Sequence, residues 1–434
     1  MRRRPVRTRP RREVNAFSVA DRILILGTGP AGLSAAQELR RLGYRGELVV
    51  AGDDPDGPYD RPACSKGLLT GHLRPSDAKL PVDPGLDITW RLGRHAVGLD
   101  LDRRAVEMHT GELVRFDGLV VATGSRPAMP KGWPAGEPGF HVLHSLSDAW
   151  QLRHDLRKAR RVAIVGGGVT GSEVACSVHD LAREAVIIES KPYLMGRALG
   201  EPIGRLVTYA HSRAGTGLRL GRRVSSVDRF GGQWRLELDD GSCVDADVVV
   251  VTTGERPNVE WLEGHDIDLS DGVLCDAALR VEGLPGVVAA GALARWPNPR
   301  YGITGRCGQW IASMEQGVGA ARSLLAGDDR PAPPVSLLPR FWSYQLGLRI
   351  EVCGELDPEA DVHLEGLRPE SRQPERTGAL ATYWRDGWIV GAAAVNAPRA
   401  FTAVARDLIR DEPVLEVLPA RRPAASRRRH LQAV

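Results

Sequence analysis

Residues 22–54 read RILILGTGPAGLSAAQELRRLGYRGELVVAGDD: an apolar run, a glycine-rich turn, a segment of helical periodicity, and a second apolar run that ends in acids. Strand, turn, helix and strand within about 30 residues is the context in which GxGxxG predicts a dinucleotide-binding unit. Gly27 allows the tight turn, Gly29 lets backbone N–H groups reach a pyrophosphate, and Gly32 lets the helix pack closely. Asp53 is placed to accept hydrogen bonds from an adenosine ribose, with Asp54 as the alternative.

The same pattern returns later in the chain. RVAIV at 161–165 is followed by GGGVTG at 166–171 and, after a helical segment, by AVIIES at 185–190. An acid at the end of this second strand, Glu189, binds a free 2′-hydroxyl and repels a 2′-phosphate, which favours NADH over NADPH, although Lys191 lies close by. Each unit is followed downstream by a similar apolar strand that ends in TGxRP: LVVATGSRP at 119–127 and VVVVTTGERPN at 248–258. The repeated pattern indicates dinucleotide binding more specifically than either unit alone.

Length and composition are those of an ordinary globular protein. The chain has 434 residues, of which 42% are hydrophobic and 26% charged, enough for two or three domains. No stretch approaches the roughly 18 consecutive apolar residues of a membrane span, and no apolar segment follows the N-terminal arginines as a signal peptide requires. We therefore expect a cytoplasmic protein with no membrane association.

The net charge of +4 divides unevenly. Residues 1–12 carry seven arginines and residues 420–434 carry five, with no acid in either segment, which leaves −8 for the rest. We expect disordered basic tails at 1–18 and 419–434. An arm that binds nucleic acid is an alternative reading of these tails, but the main expectation is no nucleic-acid partner.

Six cysteines lie at 64, 176, 243, 275, 307 and 353. No two form a CxxC, and none pairs with a nearby histidine at metal-ligand spacing. This spacing argues against an iron–sulfur cluster, a structural zinc or a paired redox disulfide. The prediction is reduced thiols and no metal site.

Further motifs accompany the two turns: PYDRPACSKGLLTG at 58–71, AAGALARWPNP at 289–299, RFWSYQLGLRIEVCG at 340–354 and WIVGAAAVNAPR at 388–399. With them the chain resembles, from about residue 20 to about residue 415, the FAD-dependent NADH:ferredoxin reductases (putidaredoxin reductase-like) that serve Rieske oxygenases and cytochrome monooxygenases. The resemblance implies an α/β fold with two Rossmann-type dinucleotide-binding domains and a C-terminal α+β interface domain. It places the FAD-binding domain at 19–125 and 253–330, the NAD-binding domain at 126–252, and the C-terminal domain, related to dimerisation or interface domains, at 331–418.

Together, the turns and the resemblance give two sets of candidate cofactor contacts. For FAD these are Gly27, Gly29, Pro30, Ala31, Gly32, Asp53, Arg61, Lys66, Val97, Arg126 and Trp310. For NAD they are Gly166, Gly168, Val169, Thr170, Gly171, Glu173, Glu189, Arg197 and Gly254.

The resemblance further implies that Lys66 and Glu173 meet beside the isoalloxazine ring as the catalytic pair. There a lysine supplies a fixed positive charge and the glutamate orients it. The simpler alternative is a solvated lysine and a first-turn helix acid. The implied reaction is hydride transfer from NADH to flavin, followed by single-electron transfer to an external acceptor. That acceptor would be a ferredoxin on a separate chain, and the reductase itself a monomer or homodimer.

The sequence departs from the family pattern in four places, which cover five residues. Ala292 stands where the family has an aspartate that holds a ribityl hydroxyl of FAD, a loss of about 1.5–3 kcal/mol for a charge-assisted hydrogen bond. Gly308 and Gln309 replace an acid and a histidine, and Tyr344 replaces an acid. In the fourth departure, Cys64 replaces a leucine.

These departures leave two alternatives open. One is a single-cysteine NADH peroxidase, oxidase or disulfide reductase, in which the Lys66 charge activates Cys64. Cys64 as a small apolar filler is the expectation we favour, and the same holds for Cys307. The other alternative is a non-enzymatic relative with weakened FAD binding, motivated by Ala292, Gly308 and Tyr344.

Overall fold

The computed structural model describes residues 17–356, 360–366 and 378–410 of the chain. The predicted C-terminal tail and most of the N-terminal one lie outside these ranges. Phe17, which the sequence analysis placed in the tail, packs against the core of the first sheet. The folded body therefore begins at least two residues earlier than predicted.

Seven helices are distributed along the described chain. Their bounds are α1 Pro30–Arg41, α2 Gly67–Thr70, α3 Leu146–Leu156, α4 Val169–Asp180, α5 Gly196–Arg213, α6 Trp310–Ala326 and α7 Pro398–Ile409. Short 3₁₀ turns lie at Arg61–Ser65, Pro75–Ala78, Pro84–Leu86 and Glu260–Leu262. Helix α1 begins with Pro30, whose fixed φ suits a first helical position, and buries an alanine- and leucine-rich face against the sheet.

The first sheet is parallel and contains the opening unit of the sequence. Its five strands lie in the order β19 (Val287–Ala289), β7 (Gly118–Val121), β1 (Arg22–Leu26), β2 (Glu47–Gly52) and β3 (Ile88–Leu92). The three central strands are buried on both faces, as short apolar runs that end at glycine predict. An antiparallel meander of β4 (Ala96–Asp100), β5 (Ala105–Met108) and β6 (Leu113–Arg115) accompanies it.

The second sheet repeats this arrangement. Its parallel order is β12 (Gly217–Leu220), β11 (Glu184–Glu189), β10 (Arg161–Val165), β16 (Val248–Val251) and β9 (Phe140–Val142). Its own meander consists of β13 (Val224–Phe230), β14 (Gln233–Leu238) and β15 (Cys243–Ala246). The prediction of two Rossmann-type units is confirmed.

Two small antiparallel or mixed assemblies accompany these units. The chain passes between the sheets through an antiparallel ribbon of β8 (Ser125–Pro127) and β17 (Glu255–Pro257). A three-stranded sheet contains β18 (Val273–Leu274), β20 (Ala294–Asn298) and β21 (Ile303–Arg306). The ribbon brings the two similar return-strand motifs of the sequence side by side.

The C-terminal part is an antiparallel sheet covered by α7. Its strand order is β22 (Arg340–Gln345), β23 (Leu348–Gly354), β26 (Trp388–Val395), β25 (Ala379–Arg385) and β24 (Asp361–Glu365). Apolar side chains of β23, β25 and β26 share one buried cluster with α4, α5 and the segment around Cys64. At about 1.5–3 kcal/mol per fully buried large apolar side chain, this shared core fixes the C-terminal sheet against the second unit.

All six cysteines are free in the structure. Among the described residues, no cluster of three or more histidine, cysteine or acidic side chains could hold a metal ion. None of the described helices has the length and apolar character needed to cross a membrane.

Candidate functional site

The first glycine turn requires glycine at two positions. A methyl group on Gly27 (φ 123°) would lie 1.9 Å from the carbonyl oxygen of Ala122, and one on Gly32 would lie 1.9 Å from that of Gly27. A methyl group on Gly29 would meet no atom within 4 Å. The turn is therefore tightly packed against the sheet but open above the start of α1, where its free N–H groups can receive a phosphate.

The second turn has the same construction. Gly166 and Gly171 are closed by backbone in the way Gly27 and Gly32 are, whereas Gly168 faces open space like Gly29. Val169 and Thr170 begin α4 directly above it. Both turns thus present an unobstructed helix N-terminus, which is the donor set that a dinucleotide pyrophosphate requires.

The acids at the two strand ends differ in what already binds them. Asp53 is exposed, while the alternative, Asp54, accepts hydrogen bonds from the Tyr59 hydroxyl at 2.6 Å and the Asp56 N–H at 2.9 Å. This leaves Asp53 as the acid available to a ribose. Glu189 accepts from the Gly167 N–H at 2.6 Å and from the Lys191 N–H at 2.8 Å, so its carboxylate lies against the second turn.

Lys66 and Glu173, 107 residues apart, form an ion pair of 2.6 Å. The Glu173 side chain is only 5% exposed, and Ser65 donates a further hydrogen bond of 2.6 Å to the same oxygen. The Lys66 ammonium also donates to the carbonyl oxygen of Pro62 at 3.0 Å, yet 36% of its side chain remains exposed. The ammonium is therefore anchored to protein on one side and accessible on the other.

The C-terminal sheet completes the surroundings of Glu173. Ser343 on β22 donates a 2.5 Å hydrogen bond to the second carboxylate oxygen, Oε1, and Gln345 donates to Ser343 at 3.0 Å. Glu173 thus accepts from Lys66 and Ser65 in the first unit and from Ser343 in the C-terminal sheet. Strong charge-assisted bonds of this kind are what allow a carboxylate to lie buried.

Arg61 occupies a second polar position at the same junction. Its guanidinium lies 5.8 Å from the centre of the Tyr59 ring and contacts Nε2 of His144. Burial, with the Arg61 charge as a second cause, lowers the pKa of His144 to about 3, so this imidazole is neutral and accepts from Arg61. His144 thereby orients an arginine that the sequence analysis assigned to FAD.

The remaining predicted contacts lie on several elements. Val97 on β4 is 46% exposed, and Arg126 on β8 pairs with Glu260 and with the Asn258 amide oxygen. Trp310 is the first residue of α6, and Gly254 immediately precedes β17. Arg197 lies at the exposed start of α5. The structure places Arg126 and Gly254 at the ribbon between the units.

Two of the departures from the family pattern lie together. A side chain on Gly308 would have Ala292 Cβ and Glu255 Oε2 each 3.7 Å away. Glu255 Oε2 accepts a 2.6 Å hydrogen bond from the buried hydroxyl of Ser125. A carboxylate is therefore present beside the position where the expected aspartate is missing.

Two further departures occupy different surroundings. The Oε1 atom of Gln309 is buried without a hydrogen-bond partner in the described structure. Such an acceptor at the start of α6 suits a ligand that donates a hydrogen bond. Tyr344 is 59% exposed on the outer side of β22, next to Trp342 at 56%. Loss of the acid at position 344 therefore changes an outer surface and leaves the pair of Lys66 and Glu173 untouched.

Cys64 is 3% exposed and belongs to the apolar cluster shared with the C-terminal sheet. Burial raises the pKa of its thiol to about 12, while the Lys66 ammonium is taken up by Glu173. Cys307 likewise has its thiol pKa raised by burial. These surroundings agree with the apolar-filler interpretation of Cys64 and oppose an activated thiolate.

Sequence motifs alone did not point to several polar residues of the site: Ser65, His144, Glu255, Ser343 and Gln345. Ser65 and Ser343 lie inside motifs that were quoted, and their place next to Lys66 and Tyr344 was the available signal. His144 and Glu255 carried no local signal, because their roles depend on contacts with distant segments.

The features of the site fit FAD and a nicotinamide dinucleotide. They are two unobstructed helix N-termini, an exposed acid at Asp53 and a partly exposed ammonium at Lys66.

Comparisons with known proteins agree with this geometry. Residues 21–317 match the family described as pyridine nucleotide-disulphide oxidoreductase, and residues 340–423 match the family described as reductase C-terminal. The ferredoxin–NAD(+) reductase component of the p-cumate 2,3-dioxygenase system of Pseudomonas putida is 32% identical over 89% of this chain and 92% of its own. The corresponding component of the biphenyl dioxygenase system of Paraburkholderia xenovorans has the same identity and coverage.

Among solved structures, the ferredoxin reductase for the CYP199A2 system from Rhodopseudomonas palustris matches with a TM-score of 0.83. Its sequence identity is 27%, over 91% of this chain and 96% of its own. The two family matches follow one another along the chain in the order of the two Rossmann-type units and the C-terminal sheet. Relatives of this family use FAD and NAD(P)H. The chain therefore belongs to the pyridine nucleotide-disulphide oxidoreductase family, with the C-terminal domain of its reductase members.

Proposed function

We propose that this protein is the reductase of an electron-transfer system, which takes hydride from NADH and passes single electrons to a ferredoxin on a separate chain. The observation that carries the proposal is the Lys66–Glu173 pair. It joins the segment that follows the first dinucleotide unit to the helix that begins the second. Relatives named as reductase components of dioxygenase systems, matched over most of both chains, support the same acceptor class.

On this proposal the two turns hold different dinucleotides. Gly27, Gly29 and Gly32 would hold the FAD pyrophosphate with Asp53 on its ribose, and Gly166, Gly168 and Gly171 would hold that of NADH. FAD, when bound, accepts hydride from a nicotinamide and releases electrons singly. We propose the domain division given above, with FAD at 19–125 and 253–330, NAD at 126–252 and an interface domain at 331–418.

The chain's own residues supply fixed charge and shielding. The Lys66 ammonium, held by Glu173 and the Pro62 carbonyl, provides positive charge at the junction without reorganising during the reaction. Arg61, held by His144, provides a second positive charge. Exposed Glu255, which accepts a hydrogen bond from buried Ser125, offers a carboxylate oxygen to a hydroxyl of the FAD chain beside Ala292. The six reduced thiols suit a cytoplasmic protein.

The visible spectrum of the purified protein tests the proposal directly. We expect a yellow protein with an oxidised flavin band that bleaches on anaerobic addition of NADH and recovers when an oxidised ferredoxin is added. NADH without ferredoxin under the same conditions is the control for spontaneous reoxidation. A protein that stays colourless after incubation with FAD would refute the proposal and support the non-enzymatic alternative.

Lys66→Met tests the fixed positive charge. The variant keeps the length of the side chain and removes the ammonium, so flavin reduction by NADH should slow about tenfold to a hundredfold in stopped-flow absorbance. Lys158→Met, at an exposed position after α3, is the matched control and should reduce at the wild-type rate. Equal rates for Lys66→Met and the wild type would contradict a role for this charge.

Glu189→Gln tests the preference for NADH. The amide keeps the shape and one acceptor but removes the charge that repels a 2′-phosphate, so the ratio of kcat/KM for NADH over NADPH should fall about tenfold. Steady-state assays with both nucleotides measure this ratio, and Glu184→Gln at the exposed start of β11 is the control. An unchanged ratio would assign the preference to other residues.

Cys64→Ser separates the proposal from the single-cysteine alternative. Because the thiol is buried with its pKa raised to about 12, no catalytic step is expected to depend on it. NADH-dependent ferredoxin reduction should stay within about twofold of wild type, provided that the serine is tolerated in the apolar cluster. Circular dichroism and bound flavin content check the fold. Loss of turnover in a variant that is folded and retains flavin would favour the peroxidase, oxidase or disulfide reductase class.

A further inference from the structure

A chain of buried hydrogen bonds extends from Glu173 away from Lys66. Gln345 Oε1 lies 3.2 Å from His211 Nε2, and His211 Nδ1 lies 3.3 Å from the Thr216 hydroxyl. The same hydroxyl lies 2.8 Å from Nε2 of His179. Ser343, Gln345 and His211 are each at most 1% exposed, so their hydrogen bonds are made inside the protein. In order from Glu173, the hydrogen-bonded residues are Ser343, Gln345, His211, Thr216 and His179.

The direction of these hydrogen bonds is determined by what each group can donate. Glu173 Oε1 accepts the single hydroxyl hydrogen of Ser343, which is available for this bond because Gln345 Nε2 donates to the serine oxygen and does not compete for its hydrogen. With its amide in that orientation, Gln345 turns Oε1 toward His211, so His211 Nε2 must carry the hydrogen. His211 Nδ1 then accepts from Thr216, whose oxygen accepts from His179.

The opposite direction is available to every group except Glu173. A Gln345 amide turned by 180° would accept from Ser343 and donate to His211 in its other tautomer, which in turn would donate to Thr216. Ser343 would then present oxygen lone pairs to a carboxylate that already lies buried. Burial lowers the pKa of His211 to about 4, so the imidazole is neutral and can adopt either tautomer.

We propose that Gln345 is a positioning residue: its amide directs the Ser343 hydroxyl onto Glu173 and so holds the carboxylate that anchors Lys66. Glu173, which can only accept, sets this orientation, and His211 in its Nε2–H tautomer donates to the amide oxygen from α5. The inference rests on the proposed function only for the consequence at the flavin, because the hydrogen-bond direction itself is a property of the protein alone.

Several titratable groups surround Gln345 and Glu173. They are Lys66 from the segment before α2, Cys176, His179 and Asp180 with Glu173 on α4, and His211 on α5. Burial raises the pKa of Cys176 to about 12 and lowers that of His179. A new charge placed at position 345 would therefore be the main additional titrating group between about pH 5 and about pH 8.

The test compares Gln345→Glu with Gln345→Met in the FAD-loaded protein. Glutamate is nearly the same size as glutamine, but an ionised carboxylate only accepts; it would draw the Ser343 hydrogen away from Glu173 and add like charge. Methionine removes the amide but leaves Ser343 free to donate to Glu173. We expect Gln345→Glu to be the more damaging variant at about pH 8, with a Tm lower than that of Gln345→Met by about 4 °C or more and flavin reduction by NADH at least about tenfold slower.

Acidification should reverse this order. A protonated carboxyl regains a donor toward Ser343 and an acceptor toward His211, as the native amide has. Burial raises the pKa of the introduced carboxyl in the folded protein above its value in the unfolded chain. The Tm of Gln345→Glu therefore falls furthest below that of the wild type at high pH, and the difference shrinks as the pH falls toward about 5.

A carboxyl buried at any position titrates in this way, so the hydrogen-bond direction is tested by the rate of flavin reduction. In a Ser343→Ala background, Gln345→Glu should slow this reduction markedly less than it does in the wild-type background, whereas a role in packing alone would slow it equally in both.

The outcomes are distinct. A Gln345→Met variant at least as impaired as Gln345→Glu at about pH 8, or a deficit that does not change with pH, overturns the inference. If the stability pattern holds but NADH does not reduce the flavin of the wild type, only the proposed function fails. Ser343→Ala removes the hydrogen that Glu173 accepts, without adding a charge. This variant replaces Gln345→Glu in the test if Gln345→Glu does not fold. It should slow flavin reduction, and an unchanged rate would overturn the inference.

Discussion

A buried carboxylate is the constraint on which this structure depends. Glu173 lies almost completely out of solvent, and an unpaired carboxylate there would cost several kcal/mol. Its oxygens accept hydrogen bonds from Ser65, Lys66 and Ser343, which come from segments far apart in the chain. The C-terminal sheet thus adds the hydrogen bond from Ser343 to a carboxylate whose charge Lys66 compensates at the junction of the two dinucleotide units. Stability and the position of the proposed catalytic lysine follow from the same contacts.

The two Rossmann-type units share the geometry of their sheets and glycine turns but differ in the acids beside the turns. The sheets have matching strand orders, and in both turns the first and last glycines are closed by backbone while the middle one is open. They differ in the acids at their strand ends. Asp53 is exposed at the end of its strand, whereas Glu189 is already bonded to the backbone of its own turn. Both turns have the geometry that receives a diphosphate, and on the proposed function the acids beside them contact different nucleotides.

Local motifs made much of this predictable. Both glycine turns and the strands that flank them could be read from stretches of about 30 residues, because each of those features is encoded in neighbouring positions. The pairing of Lys66 with Glu173, 107 residues apart, came only from the resemblance to a family. Contacts across long sequence separations could not be read in that way. Arg61 and His144 are 83 residues apart, and Glu255 lies 130 residues from Ser125. The FWSYQ motif was recognised as a resemblance, but alternation along β22 is what sends Ser343 and Gln345 inward and Trp342 and Tyr344 outward.

The acids that the family pattern contains and this chain lacks have separate physical consequences. In the sequence, Ala292, Gly308 and Tyr344 form one group of losses that suggests decay of the site. In the structure, Tyr344 belongs to an outer surface, while Ala292 and Gly308 border a carboxylate supplied by Glu255 from the ribbon between the units. A second acid at position 292 would place like charges close together in a partly buried space, which is unfavourable. The alanine and the glycine are therefore compatible with retained flavin binding in which the carboxylate comes from a different strand. The intact cluster around Glu173 also fits an enzyme better than a remnant, because a buried charge without a function would be costly to retain.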